Sequence, residues 1–144
     1  CCEIKAEVVG QDETESGLRA ILNFGHTIGH ALEAISGYGK YRHGEAISIG
    51  QVASAWLSAW VLDLSLPEVR RIRELFERAG LPTQVSLSTV QRQRLFAAMR
   101  LDKKVSGGEI KFVLVRNIGD VLWGQNVPDH LVVKCLHSQP STPQ

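Results

Sequence analysis

The stretch LNFGHTIGHALE, residues 22–33, sets two histidines, His26 and His30, one helical turn apart among apolar residues. At ~100° per residue, Ile21, Phe24, Ile28, Leu32 and Ile35 share one side of a helix expected from Leu18 to Ile35. Arg19, Asn23, His26, His30 and Glu33 share the other side, in a stripe about 80° wide. The apolar side supplies the core. A row of guanidinium, amide and imidazole groups suits an anionic, hydroxylated ligand better than it suits packing. Gly25 and Gly29 lie inside the same segment, where each costs roughly 1 kcal/mol relative to Ala. Close approach by another backbone is expected to offset that cost.

Downstream, SGYGKYRHGEA (36–46) is a Gly-rich loop that delivers a third histidine, His43, to the start of the next helix. That helix, about Glu45 to Leu62, is apolar nearly all round and rich in Ala and Ser, which places it centrally in a bundle. SLPE (65–68) offers a capping box opening a charged amphipathic helix that stops at Gly80 and Pro82. Ser88, with Gln91 three residues on, opens another helix to about Leu101. EIKFVLV (109–115) and DVLW (120–123), separated by RNIG, read as a small β-hairpin. VPDHLVVKCL (127–136) reads as a closing helix and HSQPSTPQ (137–144) as a frayed tail. Residues 3–13 are mixed in character, acidic toward their end, and no element is assigned to them. The expected fold is mainly α: a helical bundle with one small hairpin, in a single domain spanning 1–144.

The chain has 144 residues, of which 44% are hydrophobic and 22% charged, with a net charge of +1. That length supports one domain with a real core. The near-zero charge excludes non-specific recruitment to nucleic acid or to an anionic membrane. AWLSAWVLDLSL (55–66) is too short and too polar to span a bilayer. CCEIKAEV at the start has no apolar run behind a basic flank, so no signal peptide is expected. Cys1, Cys2 and Cys135 make no disulfide framework, and the expected location is the cytoplasm. The adjacent cysteines read as an N-terminal remnant rather than a metal site. The absence of an initiator Met leads to the expectation that the chain is a piece of something longer.

Two imidazoles at i,i+4 can reach one metal ion, or they can be buried and hydrogen-bonded to backbone or to Glu33. His43, arriving at a helix N-terminus, and the polar stripe both favour a binding role. A zinc-peptidase reading fails, because that motif needs a Glu directly after the first histidine and Thr27 stands there.

KAEVVGQDETESGLRAILNFGHTIGHALEA (5–34), YGKYRHGEAISIG (38–50), LDKK (101–104) and IKFVLVRNIG (110–119) together resemble the C-terminal domain of 3-dehydroquinate synthase, in that family's order. G-H-T-x-G-H followed by H-G-E is far more specific than a pair of histidines. The resemblance implies the metal- and substrate-binding half of a two-domain enzyme, a phosphorus–oxygen lyase of the shikimate pathway to aromatic amino acids. Such enzymes convert 3-deoxy-D-arabino-heptulosonate 7-phosphate to 3-dehydroquinate and phosphate, using NAD⁺ and Zn²⁺ or Co²⁺. It further implies that His26 and His43 bind the metal, and that His30 acts catalytically at the phosphate and in proton transfer. Lys5, Arg19, Asn23 and one of Lys103 and Lys104 are implied to contact the substrate. The implied partners are this sugar-acid phosphate, an N-terminal NAD-binding domain and a second subunit in a homodimer.

Beside that reading, Glu33 is placed to orient a histidine. Glu45 is expected to cap its helix rather than bind metal, and Arg19 could pair with Glu15. The chain also departs from the family. It has no Gly-rich dinucleotide loop following a strand, and it lacks the Glu that supplies the third metal ligand; Glu7, in KAEVV, is not that residue. Alone, the chain is therefore expected to be inactive and to hold metal weakly. Rival readings are a related cyclase, of the 2-deoxy-scyllo-inosose or valiolone synthase type, and a non-catalytic helical metal-binding module.

Overall fold

The computed structural model describes residues 2–12, 18–37, 40–104 and 109–137, with only the backbone for 102–104 and 137. Its elements in order are α1 (Cys2–Gln11), a 3-10 helix (Leu18–Asn23), α2 (His26–Ser36), α3 (His43–Val61), α4 (Leu66–Arg78), α5 (Thr89–Lys104), β1 (Lys111–Asn117), β2 (Asp120–Asn126) and α6 (Asp129–His137). A mainly helical bundle carrying one antiparallel hairpin is what the patterning led us to expect.

Helix α3 is the axis of the bundle. From Ala46 to Gly50 and from Val52 to Ser58 every residue is buried, and only the half-buried Gln51 interrupts the enclosure of its middle. Against it pack α2, α4, α6 and β1, and α5 lies along α2. Small residues let these neighbours approach, and serines deal with the polar atoms that closeness strands. The Ser58 hydroxyl donates to Ser54 O at 2.7 Å and accepts the Val115 N–H of β1 at 2.9 Å, at full burial. Ser48 donates to Pro82 O at 2.7 Å, tying the loop after α4 to α3. Strand β1 buries Phe112 through Val115 consecutively, with α3 and the 3-10 segment packed against it. Leu114 faces Leu122 in the ladder, with register shifts on either side. Cys135 of α6 is buried against α3, its thiol donating to Ala53 O at 3.4 Å.

The structure corrects the expectation of one helix from Leu18 to Ile35. A 3-10 segment ends at Asn23, the chain turns at Phe24–Gly25, and α2 starts afresh at His26. The reason is local crowding. Gly25 sits at φ 81°, and a Cβ on Gly50 of α3 would lie 2.1 Å from the Gly25 carbonyl oxygen. Straight helix cannot pass a neighbouring backbone that closely, so the chain breaks where two glycines meet. Gly29 meets the expectation of close approach, since a Cβ there would stand 3.2 Å from Ala46 O.

Other boundaries moved as well. Residues 2–11 form α1, which buries none of its residues and rests against the 3-10 segment; its lack of an apolar stripe is why patterning left it unassigned. Helix α5 runs three residues past Leu101, to Lys104. Ser88 and Gln91 cap α5 reciprocally, as their spacing suggested. At α4 the Ser65 hydroxyl instead donates to the Glu68 carboxylate at 2.7 Å, and Glu68 accepts the Ile118 N–H of the hairpin turn at 3.0 Å. No described helix is long and apolar enough to cross a membrane.

Candidate metal and substrate site

His26 is the first residue of α2, and His43 is the first residue of α3. The left-handed Gly25 aims α2 so that its N-terminus meets the middle of α3. Ahead of α3, the Glu45 carboxylate accepts the Arg42 N–H at 2.8 Å, which fixes the helix start. Glu45 is thus a cap, as its position led us to expect, and it stands outside the imidazole cluster.

His30, one turn along α2, completes a triangle. Ring centroids lie 5.1 Å apart for His26–His30, and 5.8 Å apart for both His26–His43 and His30–His43. One ring nitrogen from each histidine lies within 4.8 Å of the other two. A tetrahedral ion with ~2.0 Å bonds to nitrogen holds its ligand atoms roughly 3.3 Å apart. Small side-chain rotations close that difference, so the donor set fits Zn²⁺ or a similar divalent ion.

The second nitrogens differ among the three rings. His26 Nδ1 is 3.3 Å from Phe24 O, and His43 Nδ1 is 3.2 Å from both oxygens of Glu33. An N–H donated from Nδ1 leaves Nε2 with its lone pair, which is how metal-binding histidines are usually oriented. Among the described residues, no hydrogen-bond partner stands at either nitrogen of His30. Burial holds the His26 imidazole below its ordinary value of 6.5; the Phe24 carbonyl opposes this, and the nearby rings of His30 and His43 reinforce it. His26 is therefore neutral near pH 7, the form that binds metal.

Below the rings opens a cavity of about 410 Å³, lined by Asn23, His26, Thr27 and His30 on one side and by the hairpin on the other. The hairpin contributes Lys111, Trp123 and Gly124, and Glu109 joins them from the segment leading into β1. The Thr27 hydroxyl donates to the Lys111 carbonyl at 3.1 Å, holding the two walls together. The N-terminus of α2 opens on this cavity through His26 and Thr27 and adds partial positive charge, which favours an anionic ligand.

Of the residues expected in the site, the structure gathers His26, His30 and His43 into one cluster, and places His26, His30 and Asn23, but not His43, on the cavity lining. Arg19 is half-buried on the 3-10 segment, its backbone N–H donating to Asp12 at 3.0 Å, and it does not line the cavity. The helix break explains this, because it takes Arg19 off the stripe that continuous α-helix would have made. Lys5 is exposed on α1, also away from the cavity lining. The side chains of Lys103 and Lys104, at the end of α5, lie outside the described residues, as does Glu15. Patterning missed the hairpin residues. A Trp in the polar stretch of β2 was the available signal.

A family model described as 3-dehydroquinate synthase C-terminal matches residues 1–105. The 3-dehydroquinate synthase of Nitrosomonas europaea is 48% identical over 135 residues, covering 94% of this chain and 36% of the relative. That of Bordetella pertussis is 50% identical over 121 residues, covering 84% and 33%. The chain thus spans about a third of the length of the curated relatives it matches. Two solved structures share the fold. 2-Deoxy-scyllo-inosose synthase, complexed with carbaglucose-6-phosphate, NAD⁺ and Co²⁺, superposes with a TM-score of 0.80 at 22% identity, covering 95% of this chain and 40% of that one. The 2-epi-5-epi-valiolone synthase of Streptomyces hygroscopicus, with NAD⁺ and Zn²⁺ bound, gives 0.77 at 24%, covering 91% and 36%. On the match of sequence, fold and histidine signature, the chain belongs to the 3-dehydroquinate synthase C-terminal domain family.

Proposed function

We propose that this chain serves as the metal- and substrate-binding domain of a 3-dehydroquinate synthase, behind an N-terminal NAD-binding domain, in a homodimeric enzyme. The reaction is conversion of 3-deoxy-D-arabino-heptulosonate 7-phosphate to 3-dehydroquinate and phosphate. The observation that carries this reading is the division among three convergent imidazoles. His26 and His43 each have Nδ1 engaged by an acceptor, and His30 has neither nitrogen engaged among the described residues. That division supports His26 and His43 as the metal-binding pair, with the further ligand coming from the preceding domain.

A bound Zn²⁺ or Co²⁺ would supply Lewis acidity toward a substrate hydroxyl, alongside the redox chemistry of NAD⁺. The chain's own residues do the rest. His30, whose ring lines the cavity, exchanges a proton with the substrate as its phosphate departs. Asn23 hydrogen-bonds substrate oxygens from the same wall. Lys5, Arg19 and one of Lys103 and Lys104 complete an anion-binding rim once the preceding domain closes the cleft. Much of the rate gain is positioning, because one flexible sugar acid is held in one geometry throughout. The 44–50% identity to named 3-dehydroquinate synthases favours this substrate over those of the cyclases at 22–24%.

The test uses the polypeptide comprising this chain and its preceding domain. It releases phosphate from the heptulosonate phosphate in an NAD⁺-dependent reaction, which a chelator abolishes and Zn²⁺ or Co²⁺ restores. The chain alone releases none. Turnover of glucose 6-phosphate instead, or no phosphate release, defeats the reading.

A further inference from the structure

The hairpin wall of the cavity bears a charge pair and an aromatic ring that the proposed chemistry leaves without work. Lys111 Nζ donates to Glu109 Oε2 at 2.7 Å and to Asn126 Oδ1 at 2.8 Å. An ammonium has three N–H donors, so one is left for a ligand. The neighbouring carboxylate offsets the lysine's charge at this contact, and the pair sets a donor beside an acceptor. It matches a hydroxyl group, which accepts from the ammonium and donates to the carboxylate. Both side chains are about half-exposed or more, at 48% and 66%, and so open to solvent and to a ligand.

Trp123 lines the same cavity and is 43% exposed, although the core of this small domain is complete without it. Next to it, Gly124 sits at φ 68°, and a Cβ added there would meet nothing within 4 Å. There is consequently open space beside the indole. A broad aromatic face at the edge of a polar cavity offers apolar contact to the C–H face of a polyhydroxylated ring, while the ring's hydroxyls reach polar groups at its rim. The Thr27 bond to the Lys111 carbonyl holds this wall in register with the histidine helix.

We propose that Lys111, Glu109 and Trp123 form a hydroxyl-reading subsite that determines which polyhydroxylated substrate the histidine cavity accepts. This rests on the functional reading above and extends it to residues outside the histidine signature. In the enzyme comprising this chain and its preceding domain, Lys111→Met and Trp123→Ala each raise KM for the sugar-acid phosphate about fivefold, the scale of one lost net hydrogen bond or its equivalent. Bound metal and the KM for NAD⁺ stay at wild-type values. Trp123→Phe, which keeps an aromatic face, shows a smaller rise than Trp123→Ala. Trp123→Leu, with apolar bulk and no such face, takes the place of the Ala variant if that one does not fold. An active enzyme whose KM ignores both Lys111→Met and loss of the Trp123 ring overturns this inference alone. A wild-type enzyme that releases no phosphate overturns the functional reading and this inference with it.

Discussion

His43 Nδ1 lies 3.2 Å from both carboxylate oxygens of Glu33, a residue ten positions earlier on a different helix. The contact ties the start of α3 to the third turn of α2 and sets which nitrogen of His43 carries the proton. Orienting partners of this kind typically change metal affinity tenfold or more. Glu33→Gln is expected to weaken Zn²⁺ binding by about tenfold in the two-domain enzyme. Competition against a chelating dye measures it, and an unchanged Kd would remove Glu33 from the orienting role.

The three imidazoles are separable by what each retains when one is removed. His26→Ala and His43→Ala are expected to abolish bound metal, and His30→Ala to keep it while losing activity. Atomic absorption on the three purified variants decides the matter. Metal lost from the His30 variant would make that residue a ligand and refute its assignment to proton transfer.

Gly50 and Gly44 lie six residues apart on α3 and should respond oppositely to alanine. A Cβ on Gly50 would meet Gly25 O at 2.1 Å and Gly29 N at 2.9 Å, both backbone atoms with nowhere to go. Gly50→Ala should therefore lose about 3 kcal/mol or more, the upper range for overpacking. At Gly44 nothing lies within 4 Å, and alanine there should gain about 0.5 kcal/mol from its better helix propensity. Urea unfolding of both variants tests the contrast, and equal effects would contradict the close crossing of α2 and α3.

Burial pushes the Cys135 thiol from 9.0 up to about 12. Unfolding exposes it to ionise near 9, so between those values the unfolded chain has released a proton that the folded chain retains. The stabilisation is intact below pH 9 and is lost as pH rises through that window. Wild type should lose more stability than Cys135→Ala on going from about pH 8 to about pH 10.5. Urea midpoints for both proteins at the two pH values provide the measurement, and parallel losses would show that Cys135 contributes nothing to the slope.

Periodicity and local motifs by themselves determined the identity and order of most helices, the hairpin and the burial of α3. Each of these follows from side-chain spacing along a single element or from a local motif, and such information is written in the chain. The helix break at Gly25 was not legible, because its cause is the backbone of Gly50, 25 residues away in sequence and in van der Waals contact in space. That one crossing took Arg19 off the polar stripe, and close packing of α2 on α3 brought Glu33 to His43. The cavity's second wall was equally hidden. Lys111 and Trp123 come to share a cavity with His26 and His30 through a hairpin packed on α3, and no pattern within either strand states which helix it will face. Local physics sets what each segment is; long-range packing sets which segments share a pocket, and the pocket is where the chemistry is decided.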